Sequence, residues 1–209
     1  TGTFDDTDEI GKKLAEAAAE ALADVPAGRQ GAPATEKVKI NAASKVIDVP
    51  LDAPPSQEEI DQVAAEARAR ADSDDEENQR LGKAVLNWVG KIKQAIDTGT
   101  VPATLPVEIF TLAINDLRLV GVPFEVFTDI ALGIKAGTKP LETFFVGYAN
   151  GYCGYYPTRW GKDLGKYGGK TSCRYGFGPL ITAIGYGADE LLIRQAVALA
   201  AKTGEKKAV

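Results

Sequence analysis

Chemistry-bearing side chains crowd into one stretch, Gly147 to Gly178, reading GYANGYCGYYPTRWGKDLGKYGGKTSCRYGFG. It holds six of the seven tyrosines (Tyr148, Tyr152, Tyr155, Tyr156, Tyr167, Tyr175), both cysteines and nine of the 22 glycines. A segment so long and aromatic builds a surface or a pocket; it does more than connect two elements. By type alone the tyrosines suit packing or an interface, since each has an apolar body and a polar tip. Cys153 and Cys173 form an even pair whose spacing matches no zinc knuckle. Arg159, Lys162, Lys166, Lys170 and Arg174 make the stretch locally basic and read as solvated.

What is absent narrows the chemistry further. The 209 residues contain no His and no Met. Without His, this chain alone builds no Ser-His-Asp triad, His-rich metal site or HExxH motif. Without Met, the chain reads as a processed or shortened product beginning at Thr1. An N-terminal threonine nucleophile made by autocleavage would fit that start, but no supporting residues stand near it in sequence.

The composition is that of a globular chain, 44% hydrophobic and 25% charged. Its net charge of -5 gives no footprint for nucleic acid, and no apolar run reaches the roughly 20 residues of a membrane span.

The elements that must position the tyrosine-rich stretch follow from periodicity. Asp5 to Val25 predicts an amphipathic helix with Ile10, Leu14, Ala18, Ala21 and Leu22 on one face, stopped by Pro26. Ala27 to Glu36 is a linker. Within Lys37 to Leu51, VKI and KVIDVPL predict two short strands separated by a small-residue turn. Ser56 and Glu59 are spaced as a capping box for a helix buried through Ile60, Val63, Ala64, Ala67 and Ala71. The acidic run DSDDEEN reads as a solvated helix start, because it lacks the alternating oxygens and central Gly of a calcium loop. The helix it begins runs to about Asp97, buries Leu81, Val85, Trp88, Val89, Ile92 and Ile96, and ends at Gly99. PVEIFTLAIND and LRLVGVP predict a hairpin turning at Asn115-Asp116. Val126 to Lys135 is helical, ETFFVGYA is a buried strand leading into the tyrosine-rich stretch, and Asp189 to Lys202 is a final helix before a frayed GEKKAV tail.

Read together, LRLVGVPFEVFTDIALGIK, TFFVGYAN, NGYCGYYPTRW and the later KYGG resemble the second half of the catalytic domain of neutral/alkaline non-lysosomal ceramidases. The specific motifs lie within Val120 to Gly169. The opening helix, VPLDAPPSQEEI and GADELLIRQAVAL agree with that family in order. In it a zinc ion activates water to cleave the amide of an N-acylsphingosine, giving fatty acid and sphingosine. The resemblance implies Glu125, in VPFE, and Tyr155, the second tyrosine of Asn150-Gly151-Tyr152-Cys153-Gly154-Tyr155, as Zn²⁺ ligands. It implies Tyr152 and Tyr167 as the catalytic tyrosines, Tyr152 supporting the ligand and Tyr167 near the substrate amide, where a phenol would donate to the oxyanion. The family is generally exported, which implies a secreted, periplasmic or cell-surface protein. In that setting a Cys153–Cys173 disulfide closing about 20 residues would remove roughly 3 kcal/mol of denatured-state entropy.

Two departures matter. Phe124 stands where the family has glycine beside the ligand glutamate, so a bulky ring is expected near Glu125. Both family histidines would lie upstream of Thr1, and two ligands do not make a catalytic zinc site.

The expected architecture is therefore mixed α/β, one unit with helices packed on a mixed sheet. Residues 1–104 are mainly helical with a short strand segment, and 105–209 carry strands, the site loop and the final helix. The leading function is part of an exported zinc-dependent amidohydrolase completed by a His-bearing N-terminal half, present as a second chain of one precursor. The alternatives are a recombinant or proteolytic fragment, and a non-catalytic assembly protein that uses the aromatic loop as its interface, including self-assembly.

Overall fold

The computed structural model describes residues 3–23, 38–165 and 180–203. The chain divides into two compact units, residues 1–38 and 39–209. The first contains helix α1 (Phe4–Ala23), started by Thr3, whose hydroxyl accepts from the Asp6 amide at 3.2 Å while its own amide donates to the Asp6 carboxylate at 2.6 Å. All of α1 is solvent-exposed, including Ile10, Leu14 and Leu22 of the apolar face read from the sequence. The expected linker and C-terminal tail lie outside the described residues.

The second unit is mixed α/β. Its elements are β1 (Ile40–Pro50), α2 (Gln57–Ala71), α3 (Glu76–Asp97), β2 (Thr104–Ile114), β3 (Leu117–Gly121), β4 (Glu125–Val126), α4 (Thr128–Gly137), β5 (Glu142–Val146), β6 (Tyr155–Tyr156), α5 (Arg159–Asp163) and α6 (Ala188–Thr203). One sheet has the order β1-β2-β3-β5, antiparallel except for the parallel β3-β5 pair, and a second, two-stranded sheet joins β4 and β6 in parallel.

The small-residue segment expected to turn does not. Asn41, Ala42, Ala43 and Ser44 pair in register with Ala113, Leu112, Thr111 and Phe110, making β1 one continuous strand of 11 residues. The Asn115-Asp116 turn forms as read, with Ile114 opposite Leu117 and Asn115 at φ 50, a left-handed value asparagine tolerates.

Alternation along these strands gives the sheet two unlike faces. Ile47, Val49, Val107, Ile109 and Val120 point to one side and are almost fully buried against Ile130 and Ile134 of α4 and Leu192, Ala196 and Ala200 of α6. Gly133 and Gly137 let α6 sit close to α4, since a Cβ there would meet Ile193 Cδ1 at 2.8 Å and Val197 Cγ2 at 2.6 Å. The opposite face carries Val46, Leu112, Leu119, Phe144 and Val146. The strand ETFFVGYA is therefore not buried as its composition suggested. As the edge strand β5 it leaves Phe144 59% exposed.

Helices α2 and α3 form a second core from Ile60, Val63, Ala64, Ala67, Val85, Trp88, Val89 and Ile92. The capping box at Ser56 and Glu59 is complete, and Asp75 starts α3 by accepting from the Asn78 amide at 2.7 Å. At Gly82 a side chain would strike the Ala67 carbonyl at 2.6 Å, so glycine sets how closely the two helices approach. Ala95 takes the buried position expected of Ile96, which is exposed. No helix among the described residues is long and apolar enough to cross a membrane.

Candidate functional site

The site is built where the parallel strands end. Gly121 of β3 is the register partner of Val146 of β5, and beyond them the two chain segments stay joined. The Val122 amide donates to the Val146 carbonyl at 3.1 Å, that of Ala149 to Val122 at 2.9 Å and that of Tyr148 to Phe124 at 3.0 Å. Carboxyl ends of parallel strands leave room for ligands because the chains diverge there. Here they diverge into β4 and into the loop that returns as β6.

The β4-β6 pairing sets Glu125 opposite Tyr155 and Val126 opposite Tyr156. It is fixed by the Glu125 amide donating to the Gly154 carbonyl at 2.9 Å and the Phe127 amide to Tyr156 at 3.1 Å. Register partners project to the same side, about 4.8 Å apart along the sheet. The carboxylate and the phenol singled out in the sequence are thus neighbours, although 30 positions separate them. Both are half-buried.

Reaching this pairing bends the backbone sharply. Tyr148 and Asn150 have φ of 54 and 63, and Gly151 and Gly154 have 148 and 93. A left-handed tyrosine is uncommon, and such strain concentrates at functional sites. Gly147 is required for a different reason, because a Cβ there would lie 2.9 Å from the Phe124 carbonyl oxygen.

Tyr148 is the residue that sequence reasoning passed over. Hydrogen bonding to Glu125, then desolvation, then the charge of that carboxylate push its phenol up to about 12. Its ring stacks on Tyr152, with centroids 5.4 Å apart and planes 8° from parallel. Tyr152 therefore reaches Glu125 through Tyr148. Both rings are substantially exposed. The available signal was the four-residue spacing of Tyr148 and Tyr152 across Asn150-Gly151, a pair that only a chain reversal brings face to face.

Phe124 does not crowd Glu125. Strand alternation turns its ring into the core, fully buried and edge-on to Tyr156 at 4.9 Å. Tyr156 is buried beside it and donates to the Ala188 carbonyl at 2.7 Å. Burial, then the Asp189 charge, pushes the Tyr156 phenol up.

Tyr167 and Cys173 lie outside the described residues. Cys153 is half-buried against the core, and burial pushes its thiol up; the expected bridge to Cys173 reaches outside the described residues. Lys162 is not solvated as read. It is buried on α5, its ammonium 2.7 Å from the Asp52 carboxylate, bonded to the Ile184 carbonyl and 4.8 Å from the Tyr186 ring centre. A buried ammonium needs such partners to remain charged.

A catalytic zinc site takes about three protein ligands and a water. Among the described residues no group of three or more His, Cys, Asp or Glu comes together, and the chain has no His. Glu125 and Tyr155 alone do not fit zinc.

No protein-family model matches the chain, and no curated protein matches it. Solved structures similar to it include a ceramidase complexed with C2, at 27% identity over 53% of this chain with a TM-score of 0.32. Another is the neutral ceramidase from Pseudomonas aeruginosa, at 15% identity over 83% of this chain with a TM-score of 0.35. The chain spans 17% and 30% of the lengths of those two. Both TM-scores are low, and so weak a likeness in shape carries no weight for function.

Proposed function

We propose that this chain is part of an exported ceramidase-like amidohydrolase, to which it contributes Glu125 and Tyr155. The supporting observation is their pairing in β4 and β6, which joins the two residues that the VPFE and NGYCGY motifs single out. Tyr148 then orients the Glu125 carboxylate from the side, and Tyr152 backs Tyr148. Because the chain has no histidine, the remaining zinc donors come from a His-bearing polypeptide, the N-terminal half of the same precursor or a second chain. The substrate class is a lipid amide of the N-acylsphingosine kind, cleaved to fatty acid and sphingosine.

The test uses native material with its partner, assayed for release of fatty acid from an N-acylsphingosine and for bound zinc. Outer-shell partners of metal ligands typically cost 10–100-fold when lost, so Glu125→Gln and Tyr155→Phe should each lower activity by about 100-fold or more, with zinc lost in parallel. Full activity in both variants, or an active protein without zinc, would sink the reading.

The exposed rings of Tyr148, Tyr152 and Trp160 favour a second reading. In it the chain is a non-catalytic assembly module and the loop is its interface. Under that reading, substitution of Tyr152 or Trp160 disperses the assembly while no amide hydrolysis is found in any form of the protein.

A further inference from the structure

Among the described residues of the second unit, helices cover one side of the sheet and leave the other open. On its open side Ala42, Leu112, Leu119 and Phe144 form one row across all four strands, Phe110 and Val146 stand in the next row, and Val46 lies one row further along β1. Val46 and Phe144 are 61% and 59% exposed. Two strands of 11 residues and two of five present roughly 500 Å² in flat projection. Side-chain relief adds to that, against about 800 Å² per partner in a standard interface. Single exposed apolar residues are ordinary, whereas a continuous apolar sheet face marks a contact.

The charges on that face have one sign. Asp48 and Glu108 stand at one end and Glu142 at the other, all exposed, and alternation directs no Lys or Arg there. We infer that this open face is the docking surface for another polypeptide layer, apolar in its middle and carrying Lys or Arg at both margins. Packed face to face, a second copy of this chain would set strand carboxylates against strand carboxylates with no strand cation to meet them. An anionic lipid surface would be repelled for the same reason. Strands β3 and β5, which carry Leu119 and Phe144, run directly into the segments bearing Glu125 and Tyr148. A layer seated on the face therefore ends beside a site that lacks donors. Burial and charge alone carry the inference, which stands whether or not zinc is bound.

Photocrosslinking tests it in the cells that make the protein. p-Benzoylphenylalanine is placed at Phe144, at Val46 on the same face, and at Gln62 on the exposed side of α2 as a control. The first two positions should link to a polypeptide whose contact peptide is apolar and flanked by Lys or Arg, at about tenfold the yield from Gln62. Reversing Glu108 and Glu142 to Lys should cut that yield about tenfold without shifting the unfolding midpoint, and high salt should act in the same direction. A contact peptide from a second copy of this chain, a lipid adduct, a yield equal to the control, or full yield from the charge-reversed variant would each overturn it. Zinc content and hydrolysis enter none of these outcomes, so failure here and failure of the amidohydrolase reading are told apart.

Discussion

Val46 and Ile47 are adjacent on β1, similar in size and similar in hydrophobicity, yet one is 61% exposed and the other 5%. The same contrast separates the exposed Phe144 from the buried Thr143 on β5. Neighbouring residues of a strand belong to opposite faces, and only one face has α4 and α6 on it. The difference teaches that apolar composition marks both faces as surfaces to be covered, while packing among the described residues of the second unit accounts for one. What the chain leaves bare is therefore as informative as what it buries.

The sharpest way to break this contrast is to shorten one residue on each face. Ile109 is fully buried between the sheet and its helices, so Ile109→Ala should cost about 2–5 kcal/mol through lost burial and the cavity left behind. Val46→Ala should stay within about 0.5 kcal/mol in the isolated chain. Urea unfolding of both variants measures the difference. Equal losses would mean that something covers the open face in the free protein.

A smaller version of the contrast lies within β6, where Tyr155 faces the site and Tyr156 the core. Tyr156→Phe should cost about 1 kcal/mol at neutral pH through the lost hydrogen bond to the Ala188 carbonyl. The pH dependence adds a signature. Burial raises the Tyr156 phenol in the folded state, so its contribution is fully present below the ordinary phenol value of about 10. It is lost above that value, as the unfolded chain ionises first. The stability gap between wild type and Tyr156→Phe should therefore shrink as pH rises past 10. A gap that stays constant to strongly alkaline pH would remove Tyr156 as the cause.

Much of the fold was legible in the sequence, and the exceptions share a physical origin. Ser56 with Glu59, the α3 stripe and the Asn115-Asp116 turn are local, governed by contacts within a few residues. The continuous β1 was not legible, because Asn41 to Ser44 have little strand propensity and are held extended by β2, about 70 residues away. Ala95 is buried and Ile96 exposed, a choice between positions about 100° apart on the helix that periodicity alone leaves open. At the site, Glu125 and Tyr155 were readable as motif residues, whereas Tyr148 joins them only through a left-handed backbone that no periodicity announces. Phe124 looked obstructive because its direction depends on a two-residue strand and on the Tyr156 ring that receives it.

The smallest expected effect compares two glycines, one on the open face and one in the site. At Gly121 the three atoms nearest a new Cβ all belong to the ring of Phe110, its register partner on the open face, which is half-buried there. At Gly147 it would meet the Phe124 carbonyl, a backbone atom held in the site's own hydrogen-bonded network. A ring on an uncovered face can swing into solvent, so Gly121→Ala should cost no more than about 1 kcal/mol, near the lower end for an added methyl group. Gly147→Ala has no such escape, and should cost more and displace Tyr148, visible as a return of its phenol titration from about 12 toward the ordinary value. Thermal unfolding and absorbance titration of both variants would separate them. If Gly121→Ala proved the more damaging, Phe110 would be pinned from above, and the face described as open would have to be covered.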